Sequence, residues 1–185
     1  MDNTILWRRI DIPGHEFGRL APREDGWELS GTAVFVHELR PCMLHYVIRC
    51  ASDWRTVSAW VGGSIGEEEV GVDVTVDDER RWWVNGIEYP GVRGCMDIDL
   101  GFSPSTNLLP IRRLAPGIGE EAAVRAAWLP FPSLTLERLD QVYRREAEMV
   151  YRYKSGGGRF TRTLEVNATG FVTVYPGLWQ AEAVA

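Results

Sequence analysis

Val70-Gly71-Val72-Asp73-Val74-Thr75-Val76-Asp77 places a valine at every second position, with a small or polar residue between each pair. Successive side chains of a strand point to opposite faces, so this run has one apolar and one wet face, as a half-buried antiparallel strand requires. The pattern recurs in Trp27-Glu28-Leu29-Ser30, in Met96-Asp97-Ile98-Asp99-Leu100 and in Arg162-Thr163-Leu164-Glu165-Val166. Turn formers separate the runs: Glu24-Asp25-Gly26, Gly62-Gly63, Asp77-Asp78, Asn85-Gly86, Gly156 to Gly158, and Asn167-Ala168-Thr169-Gly170. Many short strands at this spacing predict a mainly β, antiparallel sandwich or barrel with few short helices.

Leu134 to Val150 reads two ways. Leu136, Leu139, Val142, Tyr143, Ala147 and Val150 fit a helical stripe. Alternation through Leu139, Gln141, Tyr143 and Arg145, with a turn near Glu146 and a return through Val150 to Lys154, fits a strand hairpin, which is the preferred reading. A short helical turn is expected at Ser105 to Leu109, capped by Ser103 or Ser105. Leu44 to Cys50 echoes Met149 to Ser155, and each is followed by a glycine turn, at Gly62 and Gly170. Two related β halves, about 1–114 and 115–185, would produce that echo; chance similarity among alternating strands would too. No linker divides the chain, so 1–185 reads as one domain.

At 185 residues, 45% of them hydrophobic and eight of them Trp, the chain has material for a sizeable core without covalent staples. A net charge of -6 argues against nucleic acid as partner, because phosphate contacts need basic surface. Nineteen Arg stand against one Lys, Lys154, a ratio that suits bidentate anion recognition but is better read as a coding bias. Cys42, Cys50 and Cys95 lack CxxC spacing and suit reduced thiols better than a Cys42 to Cys50 bridge. The stretch Met1 to Phe17 carries Asp2 and no apolar segment before Arg8 and Arg9, so it is not read as a signal peptide, and a cytoplasmic location is expected. No run approaches the ~20 apolar residues of a membrane-spanning helix. Nothing in the sequence sets the oligomeric state.

Asp97 and Asp99 lie two apart on an expected strand, so their carboxylates share a face at about 7 Å, two strand rises. That spacing suits paired carboxylate chemistry or simply a solvated strand face. Arg112 and Arg113, read as strand residues, point to opposite faces, so one could hold an acidic head group or pair with an aspartate. Asn107 beside Thr106 offers amide and hydroxyl contacts or a turn cap. Aromatic residues gather at Trp82-Trp83, Trp54 and Trp60, Trp128 and Phe131, and Tyr175 and Trp179. Such rings line either a core or an apolar ligand cavity with a few orienting polar groups. His15, His37 and His45 show no metal-ligand spacing, and Walker, dinucleotide and HExxH motifs are missing, so no metal or cofactor is expected. Gly101-Phe102-Ser103-Pro104-Ser105 fails as a nucleophile elbow because Ser105 stands where glycine is required.

Several segments together resemble a bacterial family named for glycolipid binding, formerly a domain of unknown function, along nearly the whole chain. They are Gly14-His15-Glu16, Arg81 to Gly86, Gly94 to Asn107, Leu109 to Leu114, Ala126 to Leu129 with Phe131-Pro132, and Tyr175 to Trp179. The resemblance implies a single curved antiparallel sheet forming a half-barrel or open barrel, similar to the periplasmic carriers of lipoproteins, with an apolar concave face. The expected function is non-enzymatic binding of a small amphiphile, a lipid or glycolipid. The candidate lining is Trp60, Trp83, Trp128 and Tyr143, and the candidate polar end is Asp97, Asp99, Asn107, Arg112 and Arg113. No catalytic residue is assigned. The alternatives are a hydrolase or other enzyme using Asp97 and Asp99 as acid and base on a sugar or lipid-like substrate, and a structural module that docks a partner protein.

Overall fold

A computed structural model describes residues 3–185. The first part of the chain is a meander: β1 (Asn3–Arg9), β2 (Gly14–Arg23), β3 (Gly26–His37), β4 (Arg40–Ala51), β5 (Thr56–Ile65), β6 (Glu68–Val76), β7 (Trp82–Val84) and β8 (Ile87–Glu88). A second follows: β9 (Asp97–Leu100), β10 (Glu121–Leu129), β11 (Glu137–Ala147), β12 (Val150–Ser155), β13 (Phe160–Val166), β14 (Val172–Tyr175) and β15 (Trp179–Val184). All fifteen strands form one sheet, ordered β8 to β1 and then β15 back to β9, so the two runs join where β1 pairs antiparallel with β15. The sheet is open, with β8 and β9 at its ends. Leu134 to Val150 is the strand hairpin, β11 turning into β12, and its helical reading is excluded.

One pairing departs from the antiparallel expectation. β9 and β10 run parallel, with Asp97 opposite Ala126 and Asp99 opposite Trp128. Parallel neighbours need a long crossover, and Gly101 to Glu120 supplies it through helix α1 (Leu108–Leu114). The crossover lies against the concave face. Phe102 packs edge-on to Tyr46 of β4 and to Phe131, Ser103 touches Glu16 of β2, and Asn107 meets Tyr143 of β11. Phe102, Leu108 and Leu109 are at most 1% exposed, so the crossover fills part of the concave side with the protein's own side chains. Inward glycines leave space for large rings. A Cβ on Gly18 would stand 2.6 Å from the Trp7 ring, and one on Gly31 would stand 2.3 Å from the Tyr46 hydroxyl oxygen.

The β9 end of the sheet meets the first residue of β5 without forming a ladder. The Thr56 N–H donates to the Met96 carbonyl at 3.0 Å, and the Ile98 N–H donates to the Thr56 hydroxyl at 3.0 Å. Arg80, in the left-handed region at φ 58°, fixes the meeting point. Its guanidinium donates to the carbonyls of Thr56, Cys95 and Met96 at 2.7 to 3.1 Å and lies over Trp82. A planar five-donor fork makes four bonds to three carbonyls from three separate nitrogens, where a lysine ammonium has three donors on a single atom. Arg80→Met therefore loses on the order of 3 kcal/mol, read as a lower urea midpoint, and Arg80→Lys recovers only part of the loss. An unchanged midpoint in Arg80→Met would show that the junction of β5 with β9 does not depend on this clasp.

Candidate binding site

After Leu100 the chain leaves the sheet, and local hydrogen bonds set its path. The Ser103 hydroxyl accepts the Ser105 N–H at 3.1 Å, a local turn bond, and the Thr106 hydroxyl accepts the Leu100 N–H at 3.2 Å; the expected serine cap does not form, since Pro104 and Asn107 stand at the cap positions without a side-chain cap bond. Pro110 falls in the first turn of α1, where no amide hydrogen is needed. The helix continues through Leu114, so Arg112 and Arg113 are helix residues and the strand reading of them is corrected: Leu and Arg are good helix formers, and nothing pairs with this segment as a strand. Arg113 clasps Asp97 with both carboxylate oxygens, at 2.9 and 2.6 Å. Arg112 turns to the far side, over the Trp54 ring at 5.0 Å, and Trp54 stacks on Trp27 at 4.6 Å.

Between this crossover and strands β9 to β15 lies a cleft of about 350 Å³. Asp99, Trp128, Tyr153, Phe160, Tyr175 and Trp179 form the sheet wall, and Gly101, Ser103 and Asn107 the crossover wall. Register explains the grouping. Asp99 faces Trp128 across β9 and β10, Tyr143 faces Tyr153 across β11 and β12, and Ser155 faces Phe160 across β12 and β13. A Cβ on Gly101 would meet the Trp128 indole nitrogen at 3.0 Å, so glycine there lets the chain pass close beside the ring.

The polar groups are braced. Gln141 donates to Asp99 and, at 3.1 Å, to the Tyr153 hydroxyl, while Thr106 donates to Asp99 at 3.4 Å. The Tyr143 hydroxyl donates to the Asn107 carbonyl oxygen at 2.9 Å, and the Asn107 amide donates to the Pro104 carbonyl at 3.0 Å. Burial lifts the Asp99 carboxyl to about 6 against the opposing hydrogen bonds of Gln141 and Thr106. Asp97 is also raised by burial, with Arg113 pulling the other way. Neither aspartate lies on the solvated strand face that composition allowed.

Glu16 escaped the sequence reading. It is 1% exposed, and one carboxyl oxygen accepts the Tyr46 hydroxyl at 2.8 Å and the Ser103 hydroxyl at 2.5 Å. Desolvation pushes its carboxyl up to about 8, despite both hydroxyls and the charge of Arg9. The signal was present in β2, where Glu16 shares a face with Gly18 and Leu20.

Of the nine candidate residues, the cleft gathers Asp99, Asn107 and Trp128, with Tyr143 directly behind Asn107. Asp97 and Arg113 form the clasp beside it. Trp60 and Trp83 stand elsewhere and do not line the concave face. In β5 the inward positions belong to Ala59 and Val61, leaving Trp60 44% exposed over Gly62, and Trp83 lies beside Arg81 on the same outer side as Thr75. Cys42, Cys50 and Cys95 are free and buried, and burial raises the thiols of Cys50 and Cys95 to about 12 and 11, which makes them poor nucleophiles. Among the described residues no group of His, Cys, Asp and Glu is arranged to hold a metal ion.

The family model described as "Putative glycolipid-binding" matches residues 4–181, and the chain belongs to that family. It is similar to a DUF1089 family protein from Pseudomonas aeruginosa, known as a crystal structure, with 30% sequence identity and a TM-score of 0.79 over 89% of this chain and 91% of that one. No curated protein matches the chain.

Glu16 gives a pH signature of the fold. Its folded value near 8 exceeds the ordinary 4.5, so the stability it contributes is full below about pH 4.5 and is lost as pH rises through 8. Glu16→Gln keeps the acceptor oxygen and removes the titration. Thermal melts should show wild type and variant close together at pH 5, with the variant clearly more stable at pH 8.5. Parallel curves across that range would disprove the assignment.

Proposed function

We propose that the protein binds an amphiphile with a hydroxylated head group, a glycolipid or a related lipid, without chemically altering it. The observation that carries this reading is Trp128 directly opposite Asp99, a flat apolar ring beside a hydrogen-bond-accepting carboxyl. Sugar rings present one apolar face and a rim of hydroxyls, and that pairing matches both. Tyr153, Phe160, Tyr175 and Trp179 extend the apolar wall on which the first part of a chain would lie. The family's name points the same way.

The cleft volume limits the ligand. About 350 Å³ is at the low end of small-molecule sites, so it takes a head group and a short length of chain. Arg112 lies over Trp54 and Arg113 is paired with Asp97, which weighs against a head-group role for either. The acid–base reading is weaker because it needs two working carboxyls, and Asp97 is clasped by Arg113 away from the cleft lining. Three unpaired thiols favour a reducing compartment for the binding role. Among the described residues no helix is long and apolar enough to cross a membrane.

Titration with n-octyl β-glucoside below its micelle concentration, followed by calorimetry, tests the reading. Trp128→Ala should weaken binding roughly tenfold, whereas Trp60→Ala on the outer face should leave it unchanged. Asp99→Leu should weaken it as well, with little effect on the binding of octanol, which has no sugar. If wild type and Trp128→Ala bind the glucoside equally, the cleft is not the site.

A further inference from the structure

Among the described residues, two buried side-chain atoms have no hydrogen-bond partner: Nη1 of Arg9 and Oε2 of Glu16. They belong to one neighbourhood. β1 and β2 pair Trp7 with Glu16 and Arg8 with His15, so Arg9 and Glu16 are diagonal neighbours on the inward face. Gly14 occupies the position nearest Arg9 on β2, and a Cβ there would stand 2.5 Å from that of Phe35. The missing side chain lets the guanidinium lie between two rings, 4.9 Å from Phe35 and 5.1 Å from Trp179.

The rest of each group is satisfied. Asp11 takes Nε and Nη2 of Arg9 at 2.9 and 3.2 Å, and Tyr46 and Ser103 both donate to Oε1 of Glu16. An unpaired polar atom in the interior costs on the order of 1 to 3 kcal/mol, so a matched pair of them needs an explanation. The cleft supplies one, because two of its lining residues touch this pair: Ser103 bonds Glu16, and Trp179 covers Arg9.

We infer that Arg9 and Glu16 form a two-donor site behind the cleft wall, between Ser103 and Trp179, which receives one acceptor oxygen of the bound amphiphile, the carbonyl of an ester-linked acyl chain. Arg9 Nη1 only donates. Glu16, with Oε1 already accepting two hydroxyls and its carboxyl neutral at pH 7, carries its proton on Oε2 and donates from there. Two donors meeting one oxygen would select a carbonyl over an ether oxygen, which is the weaker acceptor, and over a hydroxyl, which would leave its own hydrogen unpaired. The inference rests on the cleft-binding reading and sharpens it from amphiphiles in general to acylated ones.

Two probes that differ by a single carbonyl separate the possibilities: 1-O-octanoyl-β-glucose and n-octyl β-glucoside, titrated calorimetrically at pH 7. Wild type should prefer the acyl sugar roughly tenfold, the value of one good charge-assisted hydrogen bond. Arg9→Met and Glu16→Leu should each bring the two probes to equal affinity. Glu16→Gln, whose amide nitrogen donates from the Oε2 position, should restore the preference. Should Glu16→Leu fail to fold, Arg9→Met carries the comparison with Glu16→Gln. Equal affinities in wild type, the result if the site holds only a water, overturn this inference and leave the cleft reading standing. A preference that survives Arg9→Met overturns it too. If neither probe binds at all, the cleft reading fails first and this inference with it.

Discussion

The concave face of a strongly curved sheet has to be covered, and here the chain covers it with its own crossover, Gly101 to Glu120. Phe102, Leu108 and Leu109 are essentially without exposure, and burying each side chain contributes roughly 2 kcal/mol. The same segment forces the one parallel pairing, since a chain that leaves β9 and packs beneath the sheet returns to β10 in the same direction. What remains of the trough is the cleft on the β9 to β15 side. Its position follows from where the plug stops filling.

Apolar contacts alone would let such a plug slide, because they have no direction. Polar pairs fix its position: Ser103 on Glu16, Asn107 on Tyr143, and Arg113 on Asp97. Each ties a buried group of the sheet to the crossover, and a shift of one residue would leave several buried polar atoms unpaired at once. The cost of this arrangement is visible in Glu16 and Asp99, two carboxyls that burial pushes toward their neutral forms. The interior is specified by groups that do not favour being there.

Strand period made most of the fold legible, because alternation in Val70 to Asp77 or Met96 to Leu100 reports a physical face. It fails where both faces carry apolar residues. In β5, Trp60 looks like a core residue, yet the inward positions are Ala59 and Val61 and the ring lies on the outer face, 44% exposed. In β2, Phe17 is 45% exposed and Glu16 is buried, the reverse of what hydrophobicity alone assigns. The clue was the glycine and leucine sharing Glu16's face, a weaker signal than one phenylalanine. Of the site, Asp99, Asn107 and Trp128 were legible because they belong to one recognisable stretch and its parallel neighbour. Arg9, Glu16 and Arg80 were not, since their roles arise from contacts with strands far along the chain.

The cleft's two walls differ in kind, and this bears on how it could work. The sheet wall is held by ladder hydrogen bonds along β10 to β15, so Trp128, Tyr153 and Trp179 keep fixed spacings. The crossover wall is held by a handful of side-chain bonds and can yield only by breaking them. Ser103 stands at the junction, bonded to Glu16 on one side and lining the cleft on the other. A ligand that reached past Ser103 would have to replace what it displaced there, and the two unpaired atoms of Arg9 and Glu16 lie where such a replacement would be compensated. Selectivity would then come from the crossover side and affinity from the rings of the sheet, so the two could be altered separately by substitution on one wall or the other.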